Sequence, residues 1–272
     1  MDKEKILITG GLGFVGSNLT NFFSESNKIL ILDTETSNPY NLKSNSNIEI
    51  EYLDIRSEKI SKIISQFKPT SVIHCAAQTS VMDSIKNPKK TRSINIEGTK
   101  NIVNEINKID GCYFTFISSG GAIYGDPKYL PVDEKHSLEP ISEYGISKLE
   151  GENIISKLLN KSNIKYSILR PSNIYGPKQK GQNVIPLFIE KMSNNSSITI
   201  YGDGNSTRDY IFINDLVNII NLFCTKKIMS KINISTNHEV KIIEIYQIIK
   251  EKLSYKLDPI FEEKRKGEVE NI

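Results

Sequence analysis

The run Lys5-Ile6-Leu7-Ile8-Thr9-Gly10-Gly11-Leu12-Gly13-Phe14-Val15-Gly16 decides the fold of this 272-residue chain. Its first five residues form a largely apolar stretch of strand length, which suits a parallel strand buried on both faces. Glycines then recur at 10, 13 and 16, ahead of a helical stretch through Asn18 to Phe23. Such a turn lets the backbone approach a pyrophosphate, and the helix N-terminus adds amide donors and the positive end of its dipole. The spacing is not the Gly-x-Gly-x-x-Gly of many dinucleotide sites, and a glycine turn alone is a weak signal. A second apolar run, Lys28 to Leu32, ends in Asp33. A carboxylate there, about twenty residues on, would accept from the adenosine ribose and repel a 2′-phosphate, which favours NAD over NADP.

Working outward, strand-like runs follow at Ile48 to Leu53, ending in Asp54-Ile55, and at Ser71 to His74, ending in Ala76-Ala77. Helical stretches are expected around Ile60–Phe67 and Ser93–Ile106. This alternation predicts an α/β fold with a doubly wound parallel sheet. In such sheets the ligand sits at the carboxyl ends of the strands. Asp33, Asp54, Ala76 and Ser118 fall at strand ends and should converge on one crevice. His74 lies inside an apolar strand and reads as a satisfied structural histidine.

The reactive centre is expected at Tyr144 and Lys148. Four residues apart on a helix, they face the same way, and the ammonium would lower the phenol's pKa. The same spacing occurs at Tyr124/Lys128, which contains Pro127, and at Tyr246/Lys250, which lies in an amphipathic run. Only the middle copy follows a strand, Cys112 to Ile117, ending in two serines, Ser118-Ser119. A phenolate there could take the proton of a sugar hydroxyl as hydride leaves the same carbon.

Composition closes off other classes. With 38% hydrophobic and 25% charged residues, the chain reads as an ordinary globular protein. A net charge of +3 is too small to argue for nucleic acid. Cys75, Cys112 and Cys224 are far apart and lack metal-ligand spacing, so buried thiols in a reducing compartment and no metal site are expected. No signal peptide or membrane span is visible, and a cytoplasmic location is the reading.

Taken in order, the motifs resemble the nucleotide-sugar epimerase/dehydratase family of extended short-chain dehydrogenase/reductases. They are Thr9–Gly16, Asp33, Asp54-Ile55, His74–Gln78, Asn95–Thr99, Ser118–Gly125, Tyr144/Lys148, Arg170–Pro177, Tyr201–Gly204, Arg208–Tyr210 and Arg265–Glu268. The resemblance implies a Rossmann-like domain over 1–172 and a smaller, interleaved substrate lobe over 173–272. It implies that Gly10, Gly13, Phe14, Val15 and Gly16 hold the NAD pyrophosphate, Asp33 the adenosine ribose, and Asp54 and Ile55 the adenine. Ala76, Ala77, Gln78, Asn95, Ser118 and Pro171 would complete the cofactor site, with Lys148 on the nicotinamide ribose. Asn173, Val184, Tyr201, Arg208, Arg265 and Glu268 would bind a nucleotide-diphosphate sugar, together with Ser119 and Tyr144. Helices near 93–106 and 144–159 would pair across a homodimer.

Two departures bear on mechanism. The position that holds the active-site Ser or Thr in many relatives is Gly120, so the hydroxyl is assigned to Ser119, with Ser118 as fallback. The Asp-Glu pair by which dehydratases of the family eliminate water is replaced by Gly120-Gly121-Ala122. The resemblance therefore implies NAD-dependent 4-epimerisation of a UDP-hexose or its N-acetylamino form through a 4-keto sugar. Reduction, decarboxylation or dehydration on the same scaffold, or a non-catalytic NAD-binding protein, are the alternatives. Relatives continue past the Gly-Glu motif with a further helix, so a shortened substrate lobe is also expected.

Overall fold

A parallel strand covered on both faces carries apolar side chains at successive positions, and β1 (Lys5–Thr9) is such a strand. The computed structural model describes residues 3–34, 42–181 and 183–264. The other strands are β2 (Lys28–Asp33), β3 (Ile48–Tyr52), β4 (Ser71–His74), β5 (Tyr113–Ile117), β6 (Lys165–Pro171), β7 (Asn173–Tyr175), β8 (Thr199–Tyr201), β9 (Thr207–Phe212), β10 (Ser230–Ile234), β11 (Glu239–Lys241) and β12 (Ile260–Glu262). The helices are α1 (Phe14–Phe23), α2 (Ile60–Phe67), α3 (Val81–Lys86), α4 (Pro88–Arg92), α5 (Thr99–Ile106), α6 (Gly120–Ile123), α7 (Glu143–Leu159), α8 (Val184–Ser193), α9 (Ile213–Lys226) and α10 (Ile242–Lys252). A π-helical turn, Ser93–Gly98, joins α4 to α5.

Seven strands form one parallel sheet in the order β10-β6-β5-β4-β1-β2-β3. The order reverses between β1 and β4, which opens a crevice at their carboxyl ends. Side chains alternate across the sheet. Ile6, Ile8, Ile29 and Ile31 face α1 and α9 through Leu19, Phe23, Leu216 and Ile220. Leu7, Leu30, Phe114 and Phe116 belong to the opposite layer, with Ile64 of α2, Ile102 and Ile106 of α5, and Ile155 of α7.

The helix expected at 93–106 is longer and irregular. It starts at Pro88, where the Asn87 side chain accepts the Lys90 N–H, and it widens at Ser93–Gly98. Within the span expected as the substrate lobe, α9 and β10 belong to the main sheet instead, because α9 covers one of its faces and β10 pairs with β6. What remains beyond residue 173 is a three-stranded sheet, β11-β9-β7, a β12-β8 pair, and α8 and α10. These share a core of Phe188, Met192, Ile198, Ile200, Ile245 and Tyr246.

Candidate active site

The crevice is a cavity of about 690 Å³ at the carboxyl ends of β1, β2, β4, β5 and β6. Gly10, Gly13, Phe14, Val15 and Gly16 form its floor. A Cβ on Gly16 would stand 2.0 Å from the Gly10 carbonyl oxygen, so only glycine lets α1 start this close to β1. On Gly13 the nearest contact would be 3.3 Å, and that residue offers bare backbone to a ligand. Asp33 ends β2 and ties this loop down: Oδ2 accepts from the Leu12 N–H at 2.9 Å and Oδ1 from the Thr34 N–H at 2.8 Å. A narrow glycine floor, a helix N-terminus and a carboxylate at the next strand end fit a dinucleotide.

Further along, Asp54, Ile55, Ala76, Ala77 and Gln78 line the wall. The Asp54 carboxylate is already held by the Arg56 fork, at 2.8 and 2.6 Å, and that hydrogen bonding keeps its carboxyl below the usual range. Asn95, expected at the cofactor, lies behind this wall. It accepts the Gln78 N–H at 2.7 Å and donates to the Gln78 carbonyl and to Ser147 Oγ, both at 2.9 Å. Its polar atoms are spent on shaping the loop after β4.

Helix α7 carries the reactive pair. Ser142 Oγ caps it by accepting the Gly145 N–H, and Ser84 Oγ accepts the Tyr144 N–H at 3.2 Å. Lys148 donates from Nζ to the Ile117 carbonyl at 2.7 Å and lies 4.8 Å from the centre of the Phe116 ring. Burial pulls its pKa down to about 8, with Cys75 and Glu152 acting the other way. The expected lowering of the Tyr144 pKa is not what the site produces. Burial pushes the phenol up to about 12, and the hydrogen bond with Ser119 is the opposing influence. Desolvating a phenolate costs more than the neighbouring hydroxyl returns.

The two serines part company. Both line the cavity with Tyr144 and Lys148, but Ser118 spends its proton on Glu152 Oε1 at 2.7 Å, whereas Ser119 is hydrogen-bonded with Tyr144. Glu152 is fully buried and paired with Arg170, Nε to Oε1 at 3.0 Å and Nη2 to Oε2 at 2.7 Å. Arg170 also donates to the Tyr124 hydroxyl at 2.8 Å, which donates to Asn233 at 2.7 Å. At Gly120 a Cβ would meet the Arg170 carbonyl oxygen at 2.9 Å, so a hydroxyl residue would not fit there without movement. The spacing 144, 148, 152 was a readable signal for Glu152, because those residues share one helix face.

His74 is fully buried between Thr9 Oγ1, 2.6 Å from Nδ1, and Thr99 Oγ1, 2.9 Å from Nε2. Thr99 gives its own proton to the Asn95 carbonyl, so Nε2 must be the protonated nitrogen. Burial first, then the Lys148 charge, hold this imidazole neutral, with a pKa near 3.

At the far end Pro171 and Asn173 line the cavity, and Asn173 donates to the Asp209 carbonyl at 3.1 Å. The Asp209 carboxylate gathers Ser172, Thr236 and the His238 N–H. Val184, Tyr201 and Arg208 stand off the wall formed by the described residues. Val184 packs on the second core, Tyr201 ends β8, and Arg208 donates to the Thr207 carbonyl at 2.8 Å. Arg265 and Glu268 lie outside the described residues. The wall also includes Lys90, Gln179, Lys180 and Asn183, which sequence reasoning missed. Only Gly176-Pro177 hinted at the loop that carries the last three.

Floor, carboxylate and Tyr-Lys pair together describe a nucleotide-dependent oxidoreductase-type site on a Rossmann-like sheet. The chain belongs to the NAD-dependent epimerase/dehydratase family, whose signature matches residues 6–235. It is 42% identical to a putative UDP-glucose 4-epimerase of Methanocaldococcus jannaschii, over 98% of this chain and 88% of the relative. Among solved structures, UDP-glucose 4-epimerase of Thermotoga maritima with UDP-glucose superposes with a TM-score of 0.92 at 32% identity, covering 98% of this chain and 88% of that one. The Thermus thermophilus UDP-glucose 4-epimerase in complex with NAD gives 0.90 at 27% identity, covering 98% and 89%.

Proposed function

We infer that this chain is an NAD-dependent enzyme that inverts C4 of a nucleotide-diphosphate sugar, a UDP-hexose or UDP-N-acetylhexosamine. The observation that carries this reading is the grouping of Ser119, Tyr144 and Lys148 on one cavity wall, opposite a glycine floor, with no acid or base at Gly121 or Ala122. The relatives, named as UDP-glucose 4-epimerases, support the same chemistry.

In this reading Gly13, Phe14 and Val15 hold the pyrophosphate, Asp33 the adenosine ribose, Ile55 and Asp54 the adenine, and Lys148 the nicotinamide ribose. Bound NAD supplies a reversible hydride acceptor. Tyr144 takes the proton of the C4 hydroxyl and later returns it, while Ser119 holds the sugar oxygen. A phenol near 12 stays protonated at neutral pH, so a cation must stand beside it during turnover to favour the phenolate. Lys148, one helical turn away, is the protonated group on that face. Oxidation and re-reduction balance within one cycle, so no free NAD is consumed.

Residues 1–172 would serve as the cofactor part and 173–272 as the interleaved substrate lobe, with Asn173, Val184, Tyr201, Arg208, Arg265 and Glu268 at the nucleotide sugar. We place the enzyme in the cytoplasm; among the described residues no helix is long and apolar enough to cross a membrane. We also take it as a homodimer. Met82 and Ile85 of α3 are about half exposed beside α4 and α7, which supports an interface on that side.

The test is proton NMR of UDP-, dTDP- and GDP-sugars incubated with the protein and no added NAD. A 4-epimer should appear from a UDP-sugar, and Tyr144→Phe should slow it by about 10³-fold or more with NAD still bound. Stoichiometric NAD(H) consumption, or near-normal turnover in Tyr144→Phe, would overturn the reading.

A further inference from the structure

One guanidinium holds both ends of the segment that carries Ser119. Arg170 is buried near the end of β6. Its Nε and Nη2 grip Glu152, whose Oε1 accepts from the Ser118 hydroxyl at 2.7 Å. Its Nη1 donates to the Tyr124 hydroxyl at 2.8 Å. Ser118 directly precedes Ser119, and Tyr124 closes α6, the single helical turn that follows. Ser119 and the short helix therefore hang between two pins that share one anchor. The glycines at 120 and 121 add no side chain to fix the chain in between. The backbone there lies close on β6: a Cβ on Gly120 would stand 2.9 Å from the Arg170 carbonyl oxygen and 3.2 Å from that of Pro171. A buried polar network satisfied in this way has one geometry, and it passes that rigidity to what it holds.

We propose that Arg170 is a positioning residue for Ser119: by pinning Ser118 through Glu152, and Tyr124 directly, it sets the Ser119 hydroxyl against Tyr144. This rests on the roles given above to Ser119 and Tyr144. The two side chains are hydrogen-bonded, so a shift of the turn carries the hydroxyl off the base. A misplacement of about 1 Å can cost about 10²-fold in rate. Arg170 is not part of the catalytic cavity's wall, whereas Ser118 and Ser119 are. Its effect on the reaction runs through the two pins.

The pins can be cut one at a time with Arg170 left in place. Ser118→Ala removes one and Tyr124→Phe the other, and each should lower kcat by a few fold because one pin remains. Together they should lower it by about 10²-fold, as much as Ser119→Ala, and adding Ser119→Ala to the pair should cost nothing further. In each single variant the cost of Ser119→Ala should shrink by the factor which that variant has itself lost, a comparison that holds even if the pair fails to fold. A pair that loses no more than the product of its singles, or a cost of Ser119→Ala that is the same in every background, would overturn the proposal. A merely stabilising network lowers the amount of folded enzyme and leaves that cost intact. A wild type that converts no sugar would count against the epimerase reading instead. Amide exchange then tests the pins directly: the N–H groups of residues 119–122 should exchange about tenfold faster in the pair than in wild type, and equal rates would overturn the pinning.

Discussion

Two buried polar clusters flank Lys148, and they handle charge in opposite ways. On the β4 side, His74 is surrounded by threonine hydroxyls and kept neutral. On the α7 side, Glu152 is held by the two-toothed grip of Arg170 and by Ser118. Both residues are equally hidden from water, so burial alone does not decide their charge. The partner does. A hydroxyl satisfies a neutral ring, while a carboxylate in the interior needs a cation. Lys148 sits between a neutral neighbour that adds no repulsion and an anion that favours its protonated form.

That contrast can be broken at its charged side first. Arg170→Met strips the fork from Glu152 and leaves Ser118 and Lys231, whose Nζ is 3.5 Å away. It should cost about 3–5 kcal/mol, measured by denaturant unfolding. The double variant Glu152→Leu/Arg170→Met should recover much of that loss; equal losses in both would mean the pair is not the unit described. On the neutral side, His74→Asn should cost about 1–3 kcal/mol.

The pH dependence separates the two clusters further. The His74 pKa is depressed from 6.5 to about 3, so the unfolded chain binds the extra proton first. Its contribution to stability is present above pH 6.5 and is lost as the pH falls towards 3. The slope of stability against pH in that window should flatten in His74→Asn.

For Lys148 the folded pKa is about 8, below the unfolded value of 10.5, so stability rises with pH between those values as the buried ammonium loses its proton. If turnover needs the ammonium, kcat/KM should fall above about pH 8. The groups facing it are Tyr144, His74, Cys75, Glu152 and the Ile117 carbonyl. Removing the one carboxylate with Glu152→Gln should move that limb to lower pH, by about one unit. The smallest effect belongs to Ser118→Ala, about 1 kcal/mol of stability and turnover within a few fold. Ser119→Ala should lower kcat by about 10²-fold. Equal kinetic losses in the two would erase the distinction between them.

Much of this was legible from the chain. β1, β2 and β4 are covered on both faces, so their side chains are apolar almost throughout and stand out as runs. The glycine turn is a constraint of backbone contact, which spacing records. The place of β10 in the main sheet was not legible, because Ser230–Ile234 alternates like any edge strand and falls in the span expected as the substrate lobe. The bonds of Asn95 to the Gln78 backbone and Ser147 were not legible, because it sits in a π-helical turn that no residue type marks. The Tyr144 pKa differs from the expectation because spacing announces the lysine, whereas the burial that raises the phenol is a tertiary effect that spacing does not record.

The sheet's outermost strand on one side, β10, comes sixty residues or so after its neighbour β6, in the manner of long-range parallel pairings. The helix that covers Ile6, Ile8, Ile29 and Ile31 on one face, α9, is made just before it. A ribosome that has released only the first six strands has therefore made a half-clothed sheet, with an open edge and one greasy side. Folding of the cofactor region has to wait for segments from the other end of the gene. Splitting the chain at residue 172 would yield two sticky pieces in place of two working halves.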